Sequence, residues 1–513
     1  MNAAATAAWL VAGGLAGLRW LRVAQAEHYL PGAATRFSYR WWWGSGPENR
    51  LFVIAAKIGA VPAYLDYPVG ALTGAAALAA GPIGLGLKGR TSRLAWTRRM
   101  RTLAAVWVAL EAAVVGVGAV AGWTLGAAAL AALLAPVLVD VACWMTAPLE
   151  RRLAGKWVTQ AADKLARAHP TVVAITGSYG KTTTKAYVAH LVAPSRSVVA
   201  TPRSFNNRAG LARSVNEHFA PGTEVFVAEM GTYGPGEIAE MCAWVAPAVA
   251  VITAIGPVHL ERMGSEDRIV TAKAEILETA GTVVLNVDDP RLAALADTAA
   301  AQGKKVYRCS AGGVVADVVA DVVVLDEGAQ RVVVVAGERV AVIDRDDAMA
   351  PTNIACAVAA ALGVGIDLDV IARALPTLPT PDHRLAARPH QATGATLLDD
   401  TFNSNPAGAA RALSALAQAA PEGRKVVVTP GMVELGHRQH EENAAFAMAA
   451  VRMGAEVVVV GRTNRRALVD GVTRAGGRAV LVDDRDAGVR WVGQHVGPGD
   501  AVLFENDLPD TYP

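Results

Sequence analysis

An α/β fold set behind a membrane-spanning helical segment is what the sequence predicts, and three observations predict it. Ala, Leu, Val, Gly and Trp crowd the first 150 of the 513 residues. A glycine loop, Thr176 to Lys181, lies between the apolar run Val172–Ile175 and a helix-like stretch. Beyond it, short apolar runs at 225–229, 248–255 and 283–289 each end in polar residues, the pattern of strands in a sheet covered on both faces. At roughly 150 residues per domain, the length leaves room for about three domains.

Taken in order, the first part reads as membrane. Apolar stretches run Ala3–Leu18, Leu51–Leu87, Leu103–Trp123 and Leu125–Trp144, and a spanning helix needs about 20 such residues. No Lys or Arg precedes the first stretch and further spans follow, so it reads as an anchor rather than a secretory leader. Leu51–Leu87 contains Lys57, Asp66, Pro62 and Pro68, and is compatible with two short crossings, a re-entrant pair or one tilted helix. Basic residues at Lys88, Arg90, Arg93, Arg98, Arg99 and Arg101, and again at Arg151, Arg152 and Lys156, place both flanks of the last hairpin in the cytoplasm, together with everything after residue 150. Glu111 and Asp140 fall inside spans, with Lys57 the cation at similar depth, and Trp41-Trp42-Trp43 reads as an aromatic belt at headgroup level. The segment 157–169 reads as a linker helix.

The soluble part opens on the loop. Gly177, Ser178, Tyr179 and Gly180 form a cradle whose backbone N–H groups, with the positive end of the following helix, favour phosphate. Lys181 is placed to reach the β/γ-phosphates, and the hydroxyls of Thr182 and Thr183 to hold Mg²⁺. The usual nucleotide loop has a further Gly where this chain has Ile175, so the loop is a shorter variant. ATP and Mg²⁺ are therefore the expected cofactors. Net charge is only +2 and no basic stripe with interleaved aromatics follows the loop, which argues against nucleic acid. Cys143, Cys242, Cys309 and Cys356 form no C-x-x-C pair, so neither a zinc module nor a disulfide framework is suggested.

Further along, Glu229 ends one apolar run, a site for a magnesium ligand, and His259 follows the next, in Gly256-Pro-Val-His259-Leu-Glu-Arg-Met-Gly-Ser. Lys273 lies in a helical stretch, Asn353 opens another, and Arg384 and the run Asp399-Asp400-Thr-Phe-Asn403-Ser-Asn405-Pro come later. In this order and spacing, the loop, Glu229-Met-Gly, the His259 segment, Ala-Lys273-Ala-Glu-Ile and the Asp-Asp run resemble the Mur ligases. Asn206-Asn207, Gly236-Glu237-Ile238 and Met432-Val-Glu434-Leu-Gly436 are similar to the branch of that family that adds D-alanyl-D-alanine.

The resemblance covers about residues 170 to 500. It implies a central ATP-binding domain at 170–378 and a mobile C-terminal Rossmann-like domain at 379–513, behind the membrane helices of 1–156. It also implies roles. Lys181, His259, Lys273, Arg384 and Asp400 would carry the reaction. The loop, Asn353, Arg384 and Asp400 would hold ATP, and Thr182, Glu229, His259 and a carbamylated Lys273 would hold metal. Asn206, Asn207, Asn403, Asn405 and Glu434 would meet substrate. The chemistry implied is phosphorylation of a carboxylate and attack on the acyl phosphate by an amine of an amino acid or peptide.

This chain departs from the family in having spans where relatives have a UDP-sugar domain, Phe402 where Tyr is common, and Phe504-Glu505-Asn506-Asp507 near the end. The expected function is thus a multi-pass membrane ligase with cytoplasmic catalytic domains, acting on a peptidoglycan-type precursor that is lipid-linked, with membrane lipid and a protein partner as further contacts. A D-alanyl-D-alanine-adding ligase using a soluble UDP-muramoyl peptide is the alternative, and a membrane ATPase or transporter component is the alternative of another class.

Overall fold

The computed structural model describes the chain apart from residues 90–92, 203–204, 313, 316–317, 327–330, 337–338, 345–349, 380–384, 391–392, 402–403, 510 and 513. Seven α-helices and a π-helical turn (Arg40–Gly44) make the first module among the described residues: α1 (Asn2–Ala26), α2 (Ala33–Tyr39), α3 (Pro47–Tyr64), α4 (Pro68–Ala80), α5 (Arg98–Val120), α6 (Thr124–Leu133) and α7 (Ala135–Ala168). Two of them, α1 and α5, are long and apolar enough to cross a membrane, with mean hydropathy 1.2 and 2.1. A third crossing arises only if α6 and α7, which meet at 71°, are counted as one bent span. The stretch 51–87 becomes two short helices, packed so closely that a Cβ on Gly59 would lie 2.4 Å from the backbone of Gly74. The segment read as a linker helix is the last part of α7, which runs without interruption from Ala135 to Ala168.

Side chains in this module settle several expectations. Asp140 does not face Lys57: its two carboxylate oxygens accept the backbone N–H groups of Ala34 (3.1 Å) and Thr35 (2.8 Å) at the start of α2, a capping role that suits a carboxylate. Lys57 lies over the Trp43 ring instead. Trp41 and Trp42 do not form an exposed belt but are buried in the module's core.

The central domain alternates strands and helices. In order it contains β1 (Thr171–Thr176), α8 (Lys181–Val192), β2 (Val198–Ala200), α9 (Arg208–His218), β3 (Val225–Glu229), α10 (Glu237–Val245), β4 (Val249–Ile252), α11 (Leu260–Met263), α12 (Glu266–Ala274), β5 (Thr282–Asn286), α13 (Pro290–Ala301) and β6 (Lys305–Ser310). A small hairpin, β7 (Val314–Val315) with β8 (Val318–Val319), precedes β9 (Val322–Asp326), β10 (Arg331–Ala336), β11 (Arg339–Asp344), α14 (Pro351–Val364) and α15 (Leu368–Ala374). Nine strands form one sheet in the order β11-β10-β9-β6-β5-β4-β1-β3-β2, in which only β10 runs against the rest. Val173 through Ile175 are fully buried at its centre. After β1 the chain lays β2 and β3 on one side and then crosses to place β4 on the other, so strand order reverses at β1. In an open α/β sheet, the crevice at such a reversal is where ligands bind.

The C-terminal domain holds β12 (Ala386–Pro389), β13 (Thr396–Asp400), α16 (Pro406–Ala419), β14 (Lys425–Thr429), α17 (Gln439–Arg452), β15 (Ala455–Val460), α18 (Arg465–Arg474), β16 (Val480–Val482), α19 (Arg485–His495) and β17 (Ala501–Glu505). Its sheet runs β12-β13-β17-β14-β15-β16, with only β12 antiparallel.

Candidate active site

Two glycines give the loop after β1 its shape. Gly177 (φ 150°) would place a Cβ 2.0 Å from Thr253 Oγ1, and Gly180 (φ 79°) would place one 2.1 Å from Asn353 Oδ1. No side chain fits at either position, and the left-handed turn at Gly180 also requires glycine. The loop is braced against the segment after β4: Ser178 N donates to Ala254 O (2.7 Å), Ser178 Oγ donates to Gly256 O (3.1 Å), and Gly256 N donates to Ser178 Oγ (3.0 Å). Tyr179 lies over Gly256, and burial raises its phenol above the ordinary range. Lys181 Nζ donates to Gly177 O at 2.7 Å, folding the ammonium back over the loop at the N-terminus of α8. Asn353, from the first turn of α14, closes the loop's other side.

Glu229 stands beside this loop because β3 pairs with β1 in a register that sets Glu229 against Ile175. Four groups hold its carboxylate or backbone. Oε2 accepts from Thr182 Oγ1 (3.1 Å) and Lys185 Nζ (2.9 Å), Oε1 accepts from Asn206 Nδ2 (3.2 Å), and Glu229 N donates to Thr201 Oγ1 (3.1 Å). Burial alone would raise this carboxyl, but Lys185, Lys181 and the hydrogen bonds outweigh it and hold it below the ordinary value. It is therefore an ionised, pre-oriented carboxylate. Sequence reading missed Lys185, although it follows Lys181 by four residues and so lies on the same face of α8.

Around the adjacent loop, His259 occupies a left-handed position (φ 61°) and its Nδ1 bonds Glu434, itself left-handed (φ 64°). Arg262 Nη2 donates to Glu434 Oε1 (2.8 Å) and to Glu27 Oε2 (2.7 Å), joining the central domain to both other modules. Burial, with smaller contributions from Lys181 and Lys273, lowers the imidazole pKa against the raising pull of Glu434. Burial would lift Glu434 too, yet His259 and Arg262 pull it down to about 2. A second bridge between domains links Arg438 to Glu266 at 2.6 Å, and Glu266 also pairs with Arg291. Lys273, on α12, is almost completely buried, and desolvation plus the charge of Lys181 push its amine well below the normal lysine value.

The remaining expected residues divide. Asn207 caps α9, its Oδ1 accepting from Gly210 N at 2.9 Å, and Asn405 caps α16 in the same way with Gly408 N at 2.9 Å. Asp400 ends β13 directly opposite Glu505 of β17. Glu505 is buried, accepts from Ser404 Oγ, and is held protonated above the carboxylate range by burial and by Asp400. Arg384 and Asn403 lie outside the described residues. Among the described residues no three His, Cys, Asp or Glu side chains gather as a metal-binding group. Thr182 and Glu229 are nevertheless adjacent oxygen donors beside the phosphate loop, a set that suits Mg²⁺ completed by phosphate oxygens rather than an all-protein cage.

Comparison with known proteins gives two family matches and several similar chains. The Mur ligase middle domain matches residues 175–362, and the Mur ligase glutamate ligase domain matches residues 383–505. A UDP-N-acetylmuramoyl-tripeptide–D-alanyl-D-alanine ligase of Mycobacterium bovis is 33% identical over 378 residues, covering 68% of this chain and 73% of that enzyme. Among solved structures, a MurF ligase of Thermotoga maritima in complex with ADP aligns with TM-score 0.58 and 26% identity over 69% of this chain and 80% of that one. MurF from Acinetobacter baumannii shares the fold, with TM-score 0.61 and 23% identity over 70% and 78% of the two chains.

Proposed function

The chain belongs to the Mur ligase family, and from that premise we propose that it joins a D-alanyl-D-alanine-type amine to the terminal carboxylate of a UDP-muramoyl peptide. Members of the family are ATP-dependent, ADP-forming amide ligases that use Mg²⁺. What carries the reading is the match to a D-alanyl-D-alanine-adding enzyme along 378 residues, together with family matches over the stretches that bear the loop, Glu229, His259, Lys273 and Glu434.

In this reading ATP supplies the phosphoryl group that activates the carboxylate, and Mg²⁺ neutralises its oxygens. The chain's residues do the positioning. Backbone N–H groups of Gly177–Gly180 and the N-terminus of α8 receive the phosphates, and Lys181 leaves its loop carbonyls to meet them. Thr182 and Glu229 offer the metal its protein oxygens, with Lys185 and Asn206 keeping Glu229 charged and oriented. Lys273 is held neutral, the form of the amine that accepts CO₂, and its carbamate would add a carboxylate beside His259. Asn353, beside Gly180, would contact the base, and Asp400 and Arg384 of the third domain would reach the nucleotide. By the family resemblance, Asn206, Asn207, Asn403, Asn405 and Glu434 would meet substrate.

One observation favours a second reading, in which the acceptor is lipid-linked and the enzyme is bound to the membrane through its helices. Apart from Val342, Leu481 and Val489, every large apolar side chain exposed among the described residues lies within residues 1–157. An apolar surface of this extent marks a membrane or partner contact. Such placement would put the catalytic domains at the cytoplasmic face and raise the effective concentration of a membrane-borne substrate.

The test is turnover by the full chain in lipid nanodiscs, supplied with ATP, D-alanyl-D-alanine and either a UDP-linked or a polyprenyl-linked muramoyl tripeptide. ADP release on the soluble substrate supports the first reading, and release on the lipid-linked substrate alone supports the second. Turnover of neither rejects both.

A further inference from the structure

The geometry points to Glu27, at the end of α1, as a positioning residue for the ligase site, acting with Leu508, Thr511 and Tyr512 after β17 to register the C-terminal domain against the central domain where Glu434 meets His259. This inference rests on the ligase reading above for its enzymatic consequence, but not for its structural one.

Glu27 stands at a junction of three modules. Its side chain is 6% exposed, and Oε2 accepts from Arg262 Nη2 of the central domain at 2.7 Å. Its other oxygen, Oε1, accepts from Thr511 Oγ1 at 3.1 Å. The same Arg262 nitrogen reaches Glu434 of the C-terminal domain, which in turn bonds His259. One guanidinium is therefore shared between a carboxylate from the helical module and one from the C-terminal domain. Its plane is fixed by the Tyr233 ring, 4.6 Å away, and His28 stacks on that same ring. Charge-assisted bonds of this kind are directional, and at 10% exposure of the Arg262 side chain water does little to replace them. Without the Glu27 charge, Arg262 loses one of its two anchors, and Glu434 loses the fixed orientation of its donor.

The segment after β17 supplies the second hold. Leu508 and Tyr512 belong to the same buried core as α1, α2 and the Trp41–Trp42 pair. Trp41 Nε1 donates to Thr511 O at 2.8 Å, and the Tyr512 ring meets Phe37 edge-on at 5.1 Å. The Arg40 guanidinium lies over both rings, at 4.9 and 5.0 Å, while also pairing with Glu261, the neighbour of Arg262. The helical module thus grips the C-terminal domain through Leu508, Thr511 and Tyr512 and the central domain through Glu261 and Arg262. It fixes the two at the place where Glu434 meets His259. The phosphate loop, in contrast, takes its bracing from Thr253, Gly256 and Asn353 inside the central domain.

The experiment uses the full chain in lipid nanodiscs with spin labels on cysteines introduced at exposed Ala300 and Val489. The four native cysteines are buried, so labelling is selective. Electron–electron resonance is expected to give one narrow distance distribution for the otherwise unaltered chain, and broadened, longer distributions for Glu27→Gln and, separately, for Tyr512→Ala. In both variants KM for UDP-muramoyl tripeptide should rise about tenfold while affinity for a fluorescent ATP analogue is unchanged, the split expected when an interaction serves one substrate's site and not the other's. Distances matching the unaltered chain in both variants overturn the inference, as does an equal loss of ATP-analogue affinity. If the unaltered chain ligates nothing, the ligase reading fails while the distances still decide this one.

Discussion

Lys185 and Glu229 form a buried pair, 6% and 4% exposed, on which the loop's carboxylate depends. Removing one partner of such a pair leaves an uncompensated charge, so Lys185→Ala should destabilise the central domain by about 3–5 kcal/mol in urea unfolding. Lys181→Ala, in contrast, should leave that unfolding curve in place and lower ATP turnover by roughly 100-fold or more, the cost of losing a cation aimed at developing phosphoryl charge. Glu505 makes a prediction with pH. Its folded pKa is raised, so as pH climbs past the ordinary carboxyl value of about 4.3 the unfolded carboxyl ionises while the folded one stays protonated, and stability falls across that window. Glu505→Gln should therefore raise the melting temperature at pH 8 and change it little at pH 4. An equal shift at both pH values would show that the carboxyl does not titrate as its burial requires.

Elements turn several sequence expectations into capping chemistry. Asn207 and Asn405 each occupy an N-cap, with the side-chain oxygen already committed to a backbone N–H of the following helix. Asn405→Ala should cost about 1 kcal/mol of C-terminal domain stability, and Asn405→Asp, which keeps the cap, should restore it. If KM for the amine substrate rises in the Asp variant as well, Asn405 meets substrate in addition to capping. Asp140 follows the same logic at the start of α2. A carboxylate within an apolar stretch suggested an ionic partner, but two backbone N–H groups satisfy it without any cation. Hydropathy could not reveal this, because the partner is the end of a helix more than 100 residues away in sequence.

At the scale of the whole molecule, the helical module is both an apolar surface and a structural clamp. Its exposed Val, Ile, Leu and Trp side chains lead to the expectation that the full chain stays in the membrane fraction after alkaline carbonate washing, checked by fractionation and blotting. Release into the supernatant would leave the module its role as a clamp only.

The sequence by itself determined the strand-loop-helix unit around Gly177–Lys181, the strand-end position of Glu229, and the family, because each of these is written in contiguous residues with local physical demands. Glycine must stand where no Cβ fits, apolar runs must lie inside a sheet, and a helix N-terminus must follow the loop. Only the tertiary structure decided that Lys185 and Asn206 hold Glu229, that Glu434 and Arg262 meet at His259, and that Trp41, Glu27 and Tyr512 share one junction. Those contacts join residues separated by up to hundreds of positions. They are set by how three modules pack, and no periodicity or spacing along one segment encodes which buried charge will find its partner on another.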